Sequence, residues 1–299
     1  MKILLIGANG QVGYELQRSL ACLGTVISTD RKQLDLTNND AIRAKVAAIA
    51  PDLIVNAAAY TAVDKAESEQ ALAMQVNANS VRVMAEEAKR LNILLIHYST
   101  DYVFGGQGEK PWRENDPIAP INYYGESKLA GERAIEETGC HYLILRTSWV
   151  YGARGNNFLL TMMRLTREKP MLSVVADQIG APTWSRHIAD ATAQIVAQYK
   201  NSQTSLDVYW QSRSGVYHLA ASGQGSWHDF AGAIFQFMAE QGEDVAVLSK
   251  TTTADYPTPA LRPLFSCMNT DKLADTFAIR LPDWRDSLSL VMASFDSKA

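Results

Sequence analysis

The chain has 299 residues, of which 47% are hydrophobic and 20% are charged, and its formal net charge is −4. A chain of this length buries most of its surface without disulfides or metals, and its weakly acidic balance does not favour a nucleic-acid partner. Its three cysteines are far apart, and no apolar run approaches the ~20 residues of a membrane span. We therefore expect a cytoplasmic protein with no signal peptide and no membrane partner.

The first half alternates short apolar runs with helical patterns. These predict strands at 3–6, 25–29, 53–56, 93–99 and 142–147, and helices at 12–23, 39–49, 71–91 and 123–138. Strands that are apolar at nearly every position are buried on both faces, as in a parallel sheet covered by helices. The sequence therefore predicts an α/β fold with a doubly wound, Rossmann-like parallel sheet.

In the second half the alternation of apolar runs and helical patterns is less regular. It predicts helices at 157–168, 185–199 and 227–241 (with Ser226 as N-cap), a strand at 217–220, and loops at 201–215 and 256–259. We expect residues 1–150 to form the Rossmann domain, which about 175–220 rejoin. A smaller, discontinuous C-terminal α/β lobe for substrate would comprise about 151–175 and 221–299.

Three glycines follow the first predicted strand and open the first helix. Gly7, Gly10 and Gly13 form a G-x-x-G-x-x-G motif. The first glycine permits a tight turn, the second lets the backbone approach a pyrophosphate, and the third allows close helix–strand packing. Free N–H groups at the helix start then face the phosphates. The motif predicts a dinucleotide site.

The residues at the end of the second strand do not decide between NADH and NADPH. Asp30 can accept hydrogen bonds from an adenine-ribose 2′-hydroxyl, which favours NADH. Arg31 and Lys32 can instead hold a 2′-phosphate, which favours NADPH. We expect one of these two cofactors without choosing between them.

Tyr124 and Lys128 are four residues apart at the start of a predicted helix, so their side chains share one face. An ammonium near a phenol stabilises the phenolate and lowers the pKa of the phenol, which makes Tyr124 a usable proton donor to a carbonyl being reduced. Thr100 and Asp101 close the fourth strand at the same sheet edge, where the threonine hydroxyl can bind that carbonyl. A simple Ser/Thr cap is the alternative.

Seven segments together resemble the extended short-chain dehydrogenase/reductases, and among them the dTDP-4-dehydrorhamnose reductases. They are 56–67, 97–104, 124–132, 146–151, 180–183, 256–263 and 281–284. The resemblance covers nearly the whole chain. The alanine-rich segment after the third strand and the Tyr-Pro-Thr-Pro-Ala run are more specific than the glycines.

The resemblance implies NADPH- or NADH-dependent reduction of the C4 keto group of dTDP-4-dehydro-L-rhamnose to dTDP-L-rhamnose. This is the last step of dTDP-rhamnose biosynthesis, which supplies bacterial surface polysaccharide. Thr100, Tyr124 and Lys128 would form the catalytic group. The implied cofactor contacts, beyond the glycines, are Gln11, Val12, Asp30, Asp35, Leu36, Ala59, Tyr60, Thr61, Tyr98, Tyr124 and Lys128. The segment between Asp30 and Asp35 is shorter than in some relatives.

Four residues are the candidates for substrate contacts. They are Thr100, Asp101, Trp149 and Arg262. Trp149 could line the sugar pocket or pack in the core. The Arg262 guanidinium suits the nucleotide phosphates, with a surface ion pair as its alternative.

Some relatives bridge a homodimer through Mg²⁺ with acids on the first helix and after the Gly-Ala-Pro-Thr segment. Glu15 and Asp190 are present here, but Arg186 stands where those relatives have an acid. A cation at that position repels a metal ion, so we expect a weakened or absent metal bridge, and a homodimer formed without the metal remains open. The five histidines lack metal-ligand spacing, and His97 is interpreted as a packed core residue.

Two other functions remain open at the level of sequence. A nucleotide-sugar epimerase would keep Tyr124 and Lys128, whereas a dehydratase tends to carry a second acid where Tyr102 follows Asp101. A non-catalytic NADP-binding regulatory subunit has the same fold, and the intact Thr100, Tyr124 and Lys128 argue against it.

Overall fold

A computed structural model describes residues 1–295. Its main sheet has six parallel strands in the order β2-β1-β3-β4-β5-β10. These are β1 (Lys2–Ile6), β2 (Thr25–Thr29), β3 (Leu53–Asn56), β4 (Leu94–Thr100), β5 (His141–Thr147) and β10 (Gly215–His218). The strand order reverses between β1 and β3, which is where ligands bind in open α/β sheets. The predicted doubly wound sheet is confirmed.

The helices cover both faces of the sheet and build the second lobe. In the first half they are α1 (Gln11–Ser19), α2 (Asn39–Ile49), α3 (Val63–Ala66), α4 (Gln70–Met74), α5 (Ser80–Leu91) and α6 (Tyr123–Thr138). In the second half they are α7 (Phe158–Glu168), α8 (Ser185–Asn201), α9 (Leu206–Trp210), α10 (Trp227–Glu240), α11 (Asp271–Phe277) and α12 (Trp284–Ala293). Among residues 1–295, no helix is both long and apolar enough to cross a membrane.

Three pairs of short strands connect the later segments. They are β6 (Val150–Tyr151) with β9 (Thr183–Trp184), β7 (Met171–Val175) with β12 (Val247–Thr251), and β8 (Ile179–Gly180) with β11 (Gly225–Ser226). Helices α7, α10 and α12 pack with them around their own apolar core, which includes Phe230 and Trp284.

Parts of the second half pack on the main sheet. Ile188 and Ile195 on α8 share one core with Leu16 on α1, and Leu273 and Phe277 on α11 pack in that same core. The predicted chain division stays a prediction, and residues 296–299 at its end lie outside the described part of the chain.

The segment 201–215 is not the exposed loop that we predicted. It contains α9, capped by the Ser205 hydroxyl, with Tyr209 and Trp210 buried. The prediction was wrong because the flanking serines and glutamines outweigh the two aromatic residues in composition. Those aromatic rings pack with Tyr199 and Phe277 across the edge of the sheet.

The long helix predicted at 71–91 is interrupted by a π-helical turn at Gln75–Asn79. This turn places Asn77 so that its amide bonds both the N–H and the carbonyl of Tyr60 as well as the Ser127 hydroxyl. Asn77 thereby ties the loop after β3 to α6. Turns of this kind are frequent at functional sites.

The first helix ends earlier than predicted, at Ser19, although Leu20 remains fully buried.

Candidate active site

The glycine turn forms a cradle for a phosphate group. Gly7 has φ +89°, and a side chain there would meet the Ala58 backbone nitrogen at 2.6 Å. Gly10 precedes α1 without a capping side chain, so the first N–H groups of the helix have no side-chain acceptor. A side chain at Gly13 would clash with the Gly7 carbonyl. Because only backbone fits here and N–H groups face outward, the residues fit a pyrophosphate.

The adenine side of this cradle is ordered around Asp30. Its carboxylate accepts hydrogen bonds from the backbone N–H groups of Lys32 and Gln33 and from the Asn9 amide. Beyond it, a backbone hydrogen bond from Thr37 lowers the pKa of Asp35. These contacts hold the turn after β2 beside the glycine turn. Asp30, Arg31 and Lys32 lie together there, so the geometry does not choose between the two cofactors.

Tyr124 and Thr100 come together from different elements at the carboxyl edge of the sheet. Asn122 caps α6 through the Gly125 N–H, which positions Tyr124 on the first turn. The Thr100 side chain opposes the effect of burial on the pKa of Tyr124, and the Tyr102 ring lies edge-on to Tyr124 with ring centroids 5.5 Å apart. The Thr100 hydroxyl itself donates to Asp101 Oδ1 at 3.0 Å. Thr100 also accepts a hydrogen bond from the Tyr102 N–H, so it caps the turn that follows β4, and its contact with a substrate carbonyl stays a prediction.

Lys128 does not act on Tyr124 as predicted. Its ammonium nitrogen bonds the Tyr98 carbonyl at 2.7 Å and the His97 ring at 3.0 Å, and burial lowers its pKa to about 8. Burial raises the pKa of Tyr124 to about 12. The predicted lowering of the phenol pKa is therefore wrong for the chain alone, because desolvation outweighs any charge effect of the lysine.

Asp101 directly follows β4 and is 2% exposed. Burial raises its pKa to about 7, against the opposing effect of the hydrogen bond from the Thr100 hydroxyl, while Oδ2 has no partner among residues 1–295. A carboxyl that changes charge near neutral pH is a frequent feature of functional sites.

Trp149 forms a wall of the same site. It follows β5 with φ +46°, a conformation that costs energy for a residue other than glycine. Its indole stacks on Trp227 with ring centroids 3.6 Å apart and covers Gly180, where a side chain would meet the indole at 2.5 Å. The Ser266 hydroxyl lines the same approach to Gly180. Trp149 therefore bridges the end of β5 to α10, and its contact with a sugar stays a prediction.

Arg262 reaches the site from the proline-rich loop. One guanidinium nitrogen pairs with Asp64 at 2.7 Å, while Nη1 is buried and has no partner among residues 1–295. The Asn122 amide bonds the Leu261 carbonyl and holds this loop against the start of α6. The ion pair that was the alternative role for Arg262 is thus present, and Nη1 remains unpaired among the described residues.

The residues predicted for a metal bridge do not fit a divalent cation. The Arg186 guanidinium lies 3.6 Å from Glu15 and 3.2 Å from Asp190, so both acids are already paired with a cation. Within the described residues, no group of three metal-ligating side chains occurs.

Several residues of this site were not singled out from the sequence. His97 was interpreted as core packing, yet it contacts Lys128. Trp227 supports Trp149, and Asn77 holds the loop at Tyr60. No motif distinguished them, although an uncommon polar residue in the middle of an apolar strand, as at His97, is the signal that was available.

A phosphate cradle at the strand-order reversal, together with a tyrosine and lysine one turn apart at the same sheet edge, defines a dinucleotide-binding protein of the short-chain dehydrogenase/reductase type. The family model described as RmlD substrate binding domain matches residues 1–297. The chain belongs to this family.

Named relatives agree with that assignment. The chain is 48% identical to dTDP-4-dehydrorhamnose reductase of Burkholderia thailandensis, with 97% of each chain covered. It is 48% identical to the protein of the same name from Escherichia coli K12, with 95% of each covered. The crystal structure of dTDP-4-dehydrorhamnose reductase from Bacillus anthracis in complex with NADP superposes with a TM-score of 0.88 at 35% identity, covering 98% of this chain and 99% of that one.

Proposed function

We propose that the chain reduces the C4 keto group of dTDP-4-dehydro-L-rhamnose to dTDP-L-rhamnose with NADPH or NADH. The observation that carries the proposal is the convergence of Thr100, Tyr124 and Lys128 at the edge where the glycine turn fits a dinucleotide. The names of relatives at 48% identity over nearly the full chain support the choice of substrate.

In this mechanism the bound nicotinamide supplies hydride. Tyr124 donates its proton to the carbonyl oxygen as that oxygen gains charge. A pKa of about 12 keeps the phenol protonated at neutral pH, which is the form that a proton donor needs. The Thr100 hydroxyl binds the same oxygen, and Lys128, whose nitrogen lies against the Tyr98 carbonyl, would hold the nicotinamide ribose.

The surrounding residues would hold the substrate. Trp149 and Trp227 form a flat apolar wall for the sugar ring, and Asp101 accepts hydrogen bonds from sugar hydroxyls. Arg262 donates to the nucleotide phosphates through its unpaired nitrogen. A cytoplasmic location, a homodimer and the choice between the two cofactors remain predictions. No step of this mechanism uses Mg²⁺.

The proposal is tested by mixing the full chain with enzymatically prepared dTDP-4-dehydro-L-rhamnose and following NADPH and NADH oxidation by absorbance. We expect rapid oxidation with at least one cofactor. Binding of a cofactor without any oxidation would contradict the proposal and favour the regulatory-subunit alternative. Oxidation only with a different nucleotide-linked ketosugar would keep the reaction class and replace the substrate.

A further inference from the structure

Four groups form a continuous hydrogen-bond chain from β3 to the Tyr98 carbonyl on β4. The Asn56 amide lies 3.0 Å from His97 Nδ1, His97 Nε2 lies 3.0 Å from Lys128 Nζ, and Lys128 Nζ lies 2.7 Å from the Tyr98 carbonyl. Asn56, His97 and Lys128 are each at most 1% exposed. Water does not reach these groups, so each donor must face an acceptor.

The donor and acceptor roles in this series of hydrogen bonds are fixed at Asn56. The Ala58 N–H donates to Asn56 Oδ1 at 3.1 Å, so the amide nitrogen of Asn56 is the atom that faces His97. An amide nitrogen only donates, and therefore His97 Nδ1 must accept. A neutral histidine carries one ring proton, which then lies on Nε2 and points at Lys128. Burial keeps the pKa of His97 well below its usual value, so the ring is neutral.

A nitrogen that receives a hydrogen bond must have a lone pair, and an ammonium has none. With His97 Nε2–H pointing at it, the nitrogen of Lys128 pairs best as a neutral amine that donates to the Tyr98 carbonyl. Protonating Lys128 would require His97 to move its proton to Nδ1 and Asn56 to turn its amide. The turned amide would then present its NH₂ to the Ala58 N–H, and that hydrogen bond would be lost.

We propose that Asn56 and His97 form a positioning relay that stabilises Lys128 as a neutral amine and so sets the pH at which Lys128 takes up a proton. The other groups near Lys128 act in different directions. Glu132 on the same helix favours the ammonium, but it is engaged by Arg146 at 2.6 Å. Tyr124 lies one turn earlier on α6, and Asp101 lies beyond it. The inference rests on the proposed function only in treating Lys128 as catalytic.

The first test is the tautomer of His97 in the wild-type chain. Long-range ¹H–¹⁵N spectra of histidine-labelled protein at about pH 9 distinguish a proton on Nε2 from one on Nδ1. We expect Nε2–H for His97, assigned by its loss in His97→Gln. His218 is an internal control, since its Nδ1 faces the Asn269 carbonyl at 3.0 Å and must carry the proton there. A His97 Nδ1–H tautomer at this pH would overturn the proposal.

The second test reverses the relay. Asn56→Asp replaces the donor by a carboxylate, which accepts both from the Ala58 N–H and from a proton on His97 Nδ1. Nε2 then becomes an acceptor for a lysine ammonium, so the titration of Lys128 should move up by about one pH unit or more. The titration is followed by the ¹³Cε shift of Lys128, assigned with Lys128→Gln.

The matched control is Asn79→Asp, which adds the same charge at an exposed position of the π-helical turn. It should leave the Lys128 titration in place. An unchanged or lowered titration in Asn56→Asp would overturn the relay. If Asn56→Asp does not fold, the wild-type tautomer still decides. Neither spectrum needs substrate, so a failed turnover assay and a failed relay are separate results.

Discussion

At the scale of single residues, Tyr124 is the proposed proton donor. Tyr124→Phe removes only the hydroxyl and keeps the ring that packs edge-on against Tyr102. We expect turnover to fall by about 10²- to 10⁴-fold, as for loss of a general acid, while the Kd for NADPH changes little. Tyr123→Phe, one residue earlier on α6, is the matched control and should retain turnover. Equal turnover in the two variants would remove Tyr124 from the mechanism.

Asp101 gives a pH dependence of stability. Burial raises its folded-state pKa to about 7, above the ~3.9 of an exposed aspartate. Between these values the folded chain holds a proton that the unfolded chain has released, so this group lowers the free energy of unfolding as pH rises through that window. Asp101→Asn removes this loss. The free energy of unfolding of Asp101→Asn minus that of wild type should therefore be larger at about pH 8 than at about pH 5, by ~1 kcal/mol or more.

Chemical denaturation of both chains at the two pH values measures the effect. The control is Asp275→Asn on α11, which removes an exposed carboxylate of the same kind. Its stability difference from wild type should not grow with pH. The same behaviour in Asp101→Asn would mean that Asp101 is ionised in the folded chain throughout this range.

At the scale of elements, helix α1 packs so closely against the turn after β1 that no side chain fits between them at Gly13. Gly13→Ala places a methyl group against the Gly7 carbonyl, so α1 must move away from the cradle. We expect a weaker NADPH complex, by about 10-fold or more, measured by calorimetry. Gly232→Ala on α10 is the control, because its nearest neighbour is Leu248 at 3.7 Å, an ordinary contact. Equal affinity in both variants would contradict the cradle.

The elements also show what the sequence can and cannot predict. Strand β3 and helices α2 and α6 begin and end where the pattern of apolar residues placed them. Helix α9 was missed because its burial depends on aromatic contacts with Tyr199 on α8 and Phe277 on α11. Local composition does not contain such contacts.

The same distinction applies to the candidate site. The glycine turn and the pair of Tyr124 and Lys128 are local motifs, so they can be recognised from the sequence, whereas their roles stay predictions. The partners of Lys128 come from β3 and β4, so its contact with His97 required the register of the parallel strands. Burial, which raises the pKa of Tyr124 instead of lowering it, is likewise a property of the folded chain.

At the scale of the whole molecule, the stack of Trp149 on Trp227 joins the sheet to the second lobe. Trp149 follows β5, and Trp227 begins α10, which packs in the separate core around Phe230. Trp227→Leu should free Trp149 from its constrained conformation and raise the KM for the sugar nucleotide about 3- to 10-fold. The Kd for NADPH should change less than the KM, because neither tryptophan belongs to the cradle formed by Gly7, Gly10 and Gly13. Steady-state kinetics with a parallel binding titration checks both. An unchanged KM would mean that the stack does not shape the pocket.

The most direct test of the central claim is the position of transferred hydrogen. The chain is supplied with dTDP-4-dehydro-L-rhamnose and with NADPH or NADH deuterated at the nicotinamide C4, and the product is analysed by NMR. The account predicts dTDP-L-rhamnose with one deuterium at sugar C4. A product with deuterium at another carbon, or a changed sugar without deuterium, would contradict it.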